Sequence, residues 1–576
     1  MTTIPDTKKA RLICAAAVLL ACSAAYYNTL ACGFVADDHE LLAGNPWVRD
    51  FSHIREIFTS GIWAEHGKQL NYYRPVVHAI YLLGYQTLGP EPWGFHLMNM
   101  FFQAGVSLLV FALSHRLAGM HGGGGSALLP ALAAGLVFAV HPIHTESVAW
   151  ISGITDVSCA LFCLLSLYLY LAYRSGSGRA WLAASAVAFL LAALCKEAAL
   201  TLPLVILAYD LLFPGTRPAW SRSAAYAYAP FAAAALAYLA MRSHSLGGFA
   251  PESVHDKLGP SMYVINAAAL FGGYVTKVIL PVNLYAYYVF YPARSALDPA
   301  ALPDIAAAAA SAFALYLARR DRLALFGAAL FVLPLLPVMY IYGLGDSVFA
   351  ERYLYLPSAG IAFLAGLVFG RLAERPGMFR ASAALLFAAV LSFGLLTAER
   401  NRAWASDETL WMAALDTAEH TGRPSYDFAL ILSKLGRMED ALVRFEDAVR
   451  EMPGYVKARN NLAAAYSANG MFDKAVEQDR AAIALRPGQF KYYYNLGMDL
   501  QSLGRLDEAE AAFREALGIR ADFSYAHYGL GLVYLRKGLA DEAAAELSLA
   551  VRYNPGDAEA RALLEQAEKM KAGGGK

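Results

Sequence analysis

The sequence predicts an all-α protein in two parts, a polytopic bundle of about eleven membrane spans over residues 1–402 and an α-solenoid over residues 403–576. Three observations predict it. Of the 576 residues, 58% are hydrophobic and 16% charged, and the mean hydropathy is +0.39, which is too apolar for a soluble chain of this size. Apolar stretches of near-spanning length succeed one another as far as residue 397, with short polar turns between them. Beyond residue 402 the chain turns polar and repeats itself at a fixed period.

The first apolar run, from Leu12 to about Gly33, follows Lys8, Lys9 and Arg11. It is longer than a signal-peptide core and has no small-x-small cleavage site before Asp37, so it reads as an uncleaved helix whose basic end stays in the cytoplasm. A loop over 34–93 follows, long enough for a small structured lid with Trp47, Trp63, Tyr72, Tyr73 and Trp93 at interfacial depth. Further spans are expected at 94–115, 126–141, 152–173, 180–195, 198–214, 223–241, 301–318, 323–341, 354–370 and 381–397. Two apolar stretches, 76–88 and 263–280, read better as helices lying along or dipping into the outer surface. The turns carrying Arg116, Arg174 and Arg179, Arg217 and Arg222, Arg319 to Arg322, and Arg371 to Arg380 then all fall on the cytoplasmic side. Asp37-Asp38, Arg74, His141 to Glu146, Lys196-Glu197 and Asp346 to Arg352 fall on the other side. An odd number of spans sends the tail there too.

In the tail Gly436, Gly470, Gly504 and Gly538 recur at one position, and Ala441, Ala475, Ala509 and Ala543 at another. Pro453, Pro487 and Pro555 share a third position, where the remaining repeat has Ala521. The period is that of tetratricopeptide repeats, helix pairs with glycine at the tight turn and alanine where the helices touch. The first pair could begin as far back as Trp404 to His420, and residues 557–572 read as a solvent-facing capping helix. Such a stack offers a concave face for an extended peptide, or holds a subunit or a second copy. Tyr455, Phe490, Tyr492 to Tyr494, Phe523, Tyr525 and Tyr528 make it rich in aromatics, whose first use is helix packing.

Asp37-Asp38 sits where the first helix leaves the membrane, and apolar surroundings there can lift a carboxylate into the range of a general base. An ordinary acidic helix stop is the competing reading. His141-Pro142-Ile143-His144-Thr145-Glu146 packs two imidazoles and a carboxylate into six residues, with Asp156 further on. It suits a divalent ion (weakly, through Asp38, His141 and His144), a phosphate or sugar, or a helix cap. It lacks the helical zinc-protease spacing. Lys196-Glu197 and Glu351-Arg352 interrupt apolar runs, where charge is costly unless paired or functional. The net charge is zero, which gives no reason to expect nucleic acid, and the six cysteines all lie in or beside apolar runs, without metal-site spacing.

Phe34 to Asp38, Tyr73-Arg74-Pro75, Gly94-Phe95-His96-Leu97 with Asn99, His141 to Trp150, Cys195-Lys196-Glu197 and Ala350 to Ser358, followed by the repeats, resemble a known series. It is that of the transmembrane and tetratricopeptide-repeat O-mannosyltransferases and their bacterial relatives, within the GT-C class of polyprenyl-phosphate-sugar glycosyltransferases. The resemblance implies a GT-C-type bundle in a bacterial inner membrane, with catalytic loops and repeats outside the cytoplasm. It implies inverting transfer of a sugar, mannose in that family, from a polyprenyl phosphate to Ser or Thr of an exported protein held by the repeats. Asp37 or Asp38 would serve as base, with Asp37 slightly favoured. Arg74, His141, Lys196 and Arg352 would hold the donor phosphate, and His96, His144, Glu146, Asp156, Glu197 and Glu351 would contact sugar or acceptor. No cofactor beyond the lipid-linked donor is required, though a divalent metal is compatible. One departure is that Gly153 is followed by Ile154 and Thr155 before Asp156, where the family commonly has Gly-Arg. The competing readings are transfer to a lipid or glycan, and a non-enzymatic membrane scaffold displaying protein-binding repeats.

Overall fold

The structure, a computed structural model, describes residues 6–66, 72–121, 126–214, 222–246, 259–286, 288, 292–293, 295–340, 348–415, 423–554 and 556–573. Arg217, Asp346, His420 and Pro555 lie outside the described residues. Among the described residues the secondary structure is helical throughout, with no strand. The chain divides into two compact units, Met1–Ala413 and Ala414–Lys576. The boundary falls after the expected residue 402 for a physical reason. Trp404 is buried and stacks on Trp150, and Gly33 N–H donates to Ala405 O at 2.9 Å, so this stretch packs with the first unit.

Six described helical segments are long and apolar enough to cross a membrane: Lys8–Ala31, Pro92–His121, Ile151–Arg174, Pro260–Ile279, Arg322–Met339 and Phe379–Trp404. The pair Leu128–Val140 and Pro142–Ala149, bent by 46° at its break, raises the number to seven. The expected eleven is not reached by this measure because ionisable residues and prolines cut several runs short. Lys196 ends the helix Arg179–Cys195, and Leu202–Leu212 is only 11 residues long. The stretch 76–88 forms Pro75–Leu88, 14 residues and below spanning length. By contrast 263–280, expected on the surface, forms a 20-residue helix apolar enough to cross. Its polar residues are satisfied within the protein: Asn266 exchanges hydrogen bonds with Ala293, and Lys277 Nζ donates to Asn283 O at 2.6 Å.

The long helix Pro92–His121 connects two ends of the first unit. Near its start, Asn99 Nδ2 donates to the carbonyls of Val148, Trp150 and Ile151. Near its finish, Arg116 donates to Leu171 O and Ser175 Oγ, and His115 meets Asp6 at 2.9 Å. At this second end Arg174 also pairs with buried Asp210 at 2.9 Å. The last of the membrane-length helices, Phe379–Asn401, finishes at the first end, where Thr397 Oγ1 donates to Val140 O and Arg400 pairs with Glu351. Small residues permit close helix contact: a Cβ on Gly366 or Gly370 of Ser358–Glu374 would collide with Pro130 of Leu128–Val140.

The second unit is a run of helix hairpins, Arg423–Lys434 with Met438–Glu451, Val456–Ala468 with Phe472–Leu485, Phe490–Ser502 with Leu506–Ile519, and Ser524–Lys537 with Ala540–Tyr553. Ala558–Gly573 closes it. Gly436, Gly470, Gly504 and Gly538 make the turns at φ of +76°, +72°, +76° and +77°, a left-handed conformation that disfavours side chains. Ala441, Ala475, Ala509 and Ala543 are fully buried where paired helices meet.

Candidate active site

The site begins with the loop that follows the first helix. Ala36 holds φ +50°, unusual for a residue with a Cβ, and the reversal turns Asp38 inward while Asp37 stays exposed. Asp38 is completely buried. Its carboxylate accepts from Val35 N at 3.1 Å, Ser152 N at 2.9 Å and Ser152 Oγ at 2.5 Å. Burial pushes the Asp38 carboxyl up to about 7, against the lowering effect of these three donors. Ser152 reaches Asp38 from the short 3-10 turn Ile151–Gly153, and a Cβ on Gly153 would collide with the Ser147 backbone. The glycine is therefore required for the turn that delivers Ser152.

Beside this loop lie four ion pairs, none between sequence neighbours. Lys196 pairs with Asp156 at 2.6 Å, and Glu197 accepts from Arg74 at 3.4 Å. Arg352 pairs through its guanidinium with Glu146, to which its backbone N–H also donates at 2.8 Å. Glu351 pairs with Arg400 at 2.7 Å and accepts from Tyr288 OH and Tyr285 N. Burial opposes the charge on Arg352, but Glu146, then Tyr353 and Asp156, push its pKa up and keep it cationic. Lys196 and Arg352 flank the Tyr353 ring at 5.3 and 5.2 Å.

Arg74, Lys196 and Arg352 are thus balanced by Glu197, Asp156 and Glu146. An added phosphate would find cations already neutralised, and must share or displace the carboxylates. Arg352 is the most accessible of the three, with 26% of its side chain exposed against 17% for Arg74 and 12% for Lys196. Its fork retains donors beyond those Glu146 uses.

The histidines are placed differently. His141 is buried with Nε2 2.9 Å from Val278 O and Nδ1 accepting from Ile143 N, so backbone groups occupy both ring nitrogens. That leaves it poorly placed for a donor phosphate. His144 Nε2 meets Ser358 Oγ at 2.7 Å, with its ring between Phe138 and Tyr355. His96 is fully buried in Pro92–His121. Among the described residues no group of three His, Cys, Asp or Glu could hold a metal ion, so Asp38, His141 and His144 do not converge as ligands. Glu146 and Asp156 join the cluster as partners of cations, and Glu351 as the partner of Arg400.

The sequence assigns no role to Ser152, Asn99, Tyr353 or Arg400, although Asn99 and Tyr353 lie within the motifs that carry the family resemblance. Arg400 at the end of an apolar run carries the same signal as Arg352, whereas Ser152 and Asn99 are ordinary polar residues whose roles emerge only from the turn they share. In the second unit a cleft of about 360 Å³ is lined by Asn460, Lys491, Tyr494, Asn495, Phe523 and Tyr525, all on or just before the first helices of successive hairpins. Asn495 Nδ2 donates to Asn460 Oδ1 at 3.1 Å across two repeats.

Tetratricopeptide-repeat family models match residues 432–496 and 494–558. The chain is 24% identical to the human protein O-mannosyl-transferase TMTC3 over 487 residues, 77% of this chain and 52% of that protein. It is 24% identical to the protein O-mannosyl-transferase F38B6.6 of Caenorhabditis elegans, over 75% of this chain and 61% of the relative. With Tmtc2 of Drosophila melanogaster identity reaches 36% over 214 residues, 34% of this chain and 21% of that protein. The chain spans about half the length of the curated relatives it matches. Among solved structures, a MamA protein covers 27% of this chain at 22% identity and a TM-score of 0.26. YrrB, titled a TPR protein with an unusual peptide-binding site, covers 28% at 20% identity and the same score. Scores this low carry no weight for function. Over most of its length, the chain's sequence resembles the transmembrane and tetratricopeptide-repeat O-mannosyltransferases.

Proposed function

We propose that this protein transfers a sugar, mannose by likeness to its relatives, from a polyprenyl phosphate to Ser or Thr hydroxyls of an exported protein. The observation that carries the reading is the juxtaposition, at one end of the first unit, of an exposed carboxylate, a buried one and a cluster of cations. Asp37 takes the proton of the acceptor hydroxyl. The hydroxyl oxygen bonds to the anomeric carbon as the bond from that carbon to the phosphate oxygen breaks, and the electron pair leaves on the lipid phosphate. A single displacement of this kind inverts the anomeric centre. Asp38 holds the loop rather than meeting the acceptor, because three donors already occupy its carboxylate.

The leaving phosphate needs charge stabilisation more than a proton. Arg352 is the best placed to supply it, with Lys196 and Arg74 behind. His141 has no such role in this reading, since backbone groups hold both its ring nitrogens. Glu146 and Asp156 set the positions of the cations, and the sugar or acceptor meets the groups that remain open among them. The donor enters from the bilayer. The N-terminus is cytoplasmic, with the site and repeats on the far side of the inner membrane, consistent with the last of the membrane-length helices finishing at the site end. The repeats hold the acceptor along the aromatic cleft near Tyr494 and Tyr525.

The test is transfer from synthetic polyprenyl-phosphate mannose to a Ser/Thr peptide by the full chain in lipid nanodiscs, read by peptide mass. One added hexose that disappears with Asp37→Asn supports the reading. Full activity of that variant refutes the assignment of the base, and absence of transfer by the parent chain favours the scaffold.

A further inference from the structure

The loop that carries the acidic pair is fastened from a direction the reaction does not explain. Asp407, the first residue of the helix Asp407–Leu415, extends its carboxylate to that loop. Its Oδ1 accepts from Ala36 N at 2.8 Å and its Oδ2 meets His39 Nε2 at 2.8 Å. Asp407 is spared the usual task of an acidic residue at a helix start, because Ser406 Oγ accepts from Thr409 N and caps the turn. The same stretch makes two further attachments. Gly33 N donates to Ala405 O, and Trp404 stacks on Trp150, whose Nε1 donates to Val35 O.

The residue Asp407 grips is the strained one. Ala36 at φ +50° occupies the left-handed region, where the Cβ of an L-residue crowds its own backbone, so it needs an external hold. Release would let the backbone relax to negative φ and swing Asp37 and Asp38 away from Ser152 and the cations.

We propose that Asp407 is a positioning residue for the acidic pair, acting through the backbone N–H of Ala36, so that the segment entering the tail sets the geometry of the transfer site. This rests on the transferase reading for its activity arm, but not for its structural arm.

The experiment uses the full chain in nanodiscs with Asp407→Ala, Asp407→Asn and Asp407→Ala combined with Ala36→Gly. Hydrogen–deuterium exchange over residues 33–41 should speed up in Asp407→Ala and stay near the parent in Asp407→Asn, whose side-chain oxygen still accepts from Ala36 N. Transfer by Asp407→Ala should fall about tenfold in kcat, the scale of a released strained backbone, with the KM for polyprenyl-phosphate mannose unchanged. Adding Ala36→Gly should recover most of the loss, because glycine adopts positive φ unaided. A residue that only anchored the tail would show no such rescue. Unchanged exchange in Asp407→Ala overturns the proposal, as does a folded double variant as impaired as the single one, or an Asn variant as defective as Ala. If the parent transfers no sugar, the transferase reading fails and the exchange arm alone decides the role of Asp407.

Discussion

Asp38 and Ser152, 114 residues apart, share two hydrogen bonds: the serine's N–H and hydroxyl both donate to one oxygen of the buried carboxylate. All three donors to Asp38 favour its charged form, whereas burial favours the acid and holds the carboxyl near 7. Around neutrality the loop therefore sits between a state fastened by three donors and one in which a protonated oxygen no longer accepts fully.

This balance predicts an acidic limb in the pH–rate profile. Transfer should fall as pH drops through about 7, because Asp38 takes a proton and weakens the hold on Asp37. Ser152→Ala removes the strongest of the lowering influences, so the limb should move to higher pH by about 1–2 units, the worth of a hydrogen bond to a charged group. Profiles of kcat/KM for parent and variant decide it, and an unmoved limb refutes the role given to Asp38.

The Arg352–Glu146 pair predicts a stability effect distinct from catalysis. Arg352→Gln leaves buried Glu146 without its charged partner, only the backbone N–H of residue 352 still donating to it, and should cost about 3 kcal/mol, measured as a lowered Tm in detergent. The pair Arg352→Gln with Glu146→Gln should regain much of that stability while remaining inactive if Arg352 has the role proposed above, because the cation assigned to the leaving phosphate is still absent. Recovery of transfer in the double variant would show that Arg352 acts only as a structural partner.

The repeats were legible in the sequence because their constraints are local: glycine at a positive-φ turn and alanine at a helix contact recur in register. That Lys196, Glu197, Glu351 and Arg352 need partners was legible for the same kind of reason, since charge inside an apolar run has few explanations. Their partners were not. Neighbours Lys196 and Glu197 point apart and pair with Asp156 and Arg74, and Glu351 and Arg352 with Arg400 and Glu146. Three-dimensional packing decides such choices. His141 misled because a histidine beside a carboxylate looks chemical, whereas its ring nitrogens serve the backbone. The strain at Ala36 had no sequence signal at all, alanine being an unremarkable residue until its φ is known.

The aromatic cleft predicts a separation of acceptor classes. Tyr494→Ala and Tyr525→Ala should weaken transfer to a long protein acceptor about tenfold, in keeping with lost aromatic contacts at an interface. Transfer to a short Ser/Thr peptide, which meets only the site of the first unit, should be spared. Equal losses on both acceptors would assign the cleft to folding, and a change in oligomeric state would assign it to contact between copies.

A second buried carboxyl pair lies within the repeats. Asp479 of Phe472–Leu485 and Asp499 of Phe490–Ser502 face each other in the interior, and Ser467 Oγ donates to Asp499. Burial, then the neighbouring Asp499, pushes Asp479 up to about 9, and burial also raises Asp499. The folded repeats therefore hold a proton that the unfolded chain releases above about pH 4. Since the native state binds more protons between those values, stability must fall as pH rises from about 4 towards 9. Asp479→Asn puts a neutral amide beside Asp499 that needs no such proton, and should raise the Tm of the repeats at pH 8 while flattening its dependence on pH. A variant less stable than the parent at pH 8, with the slope intact, would mean that the pair is ionised and held by other groups.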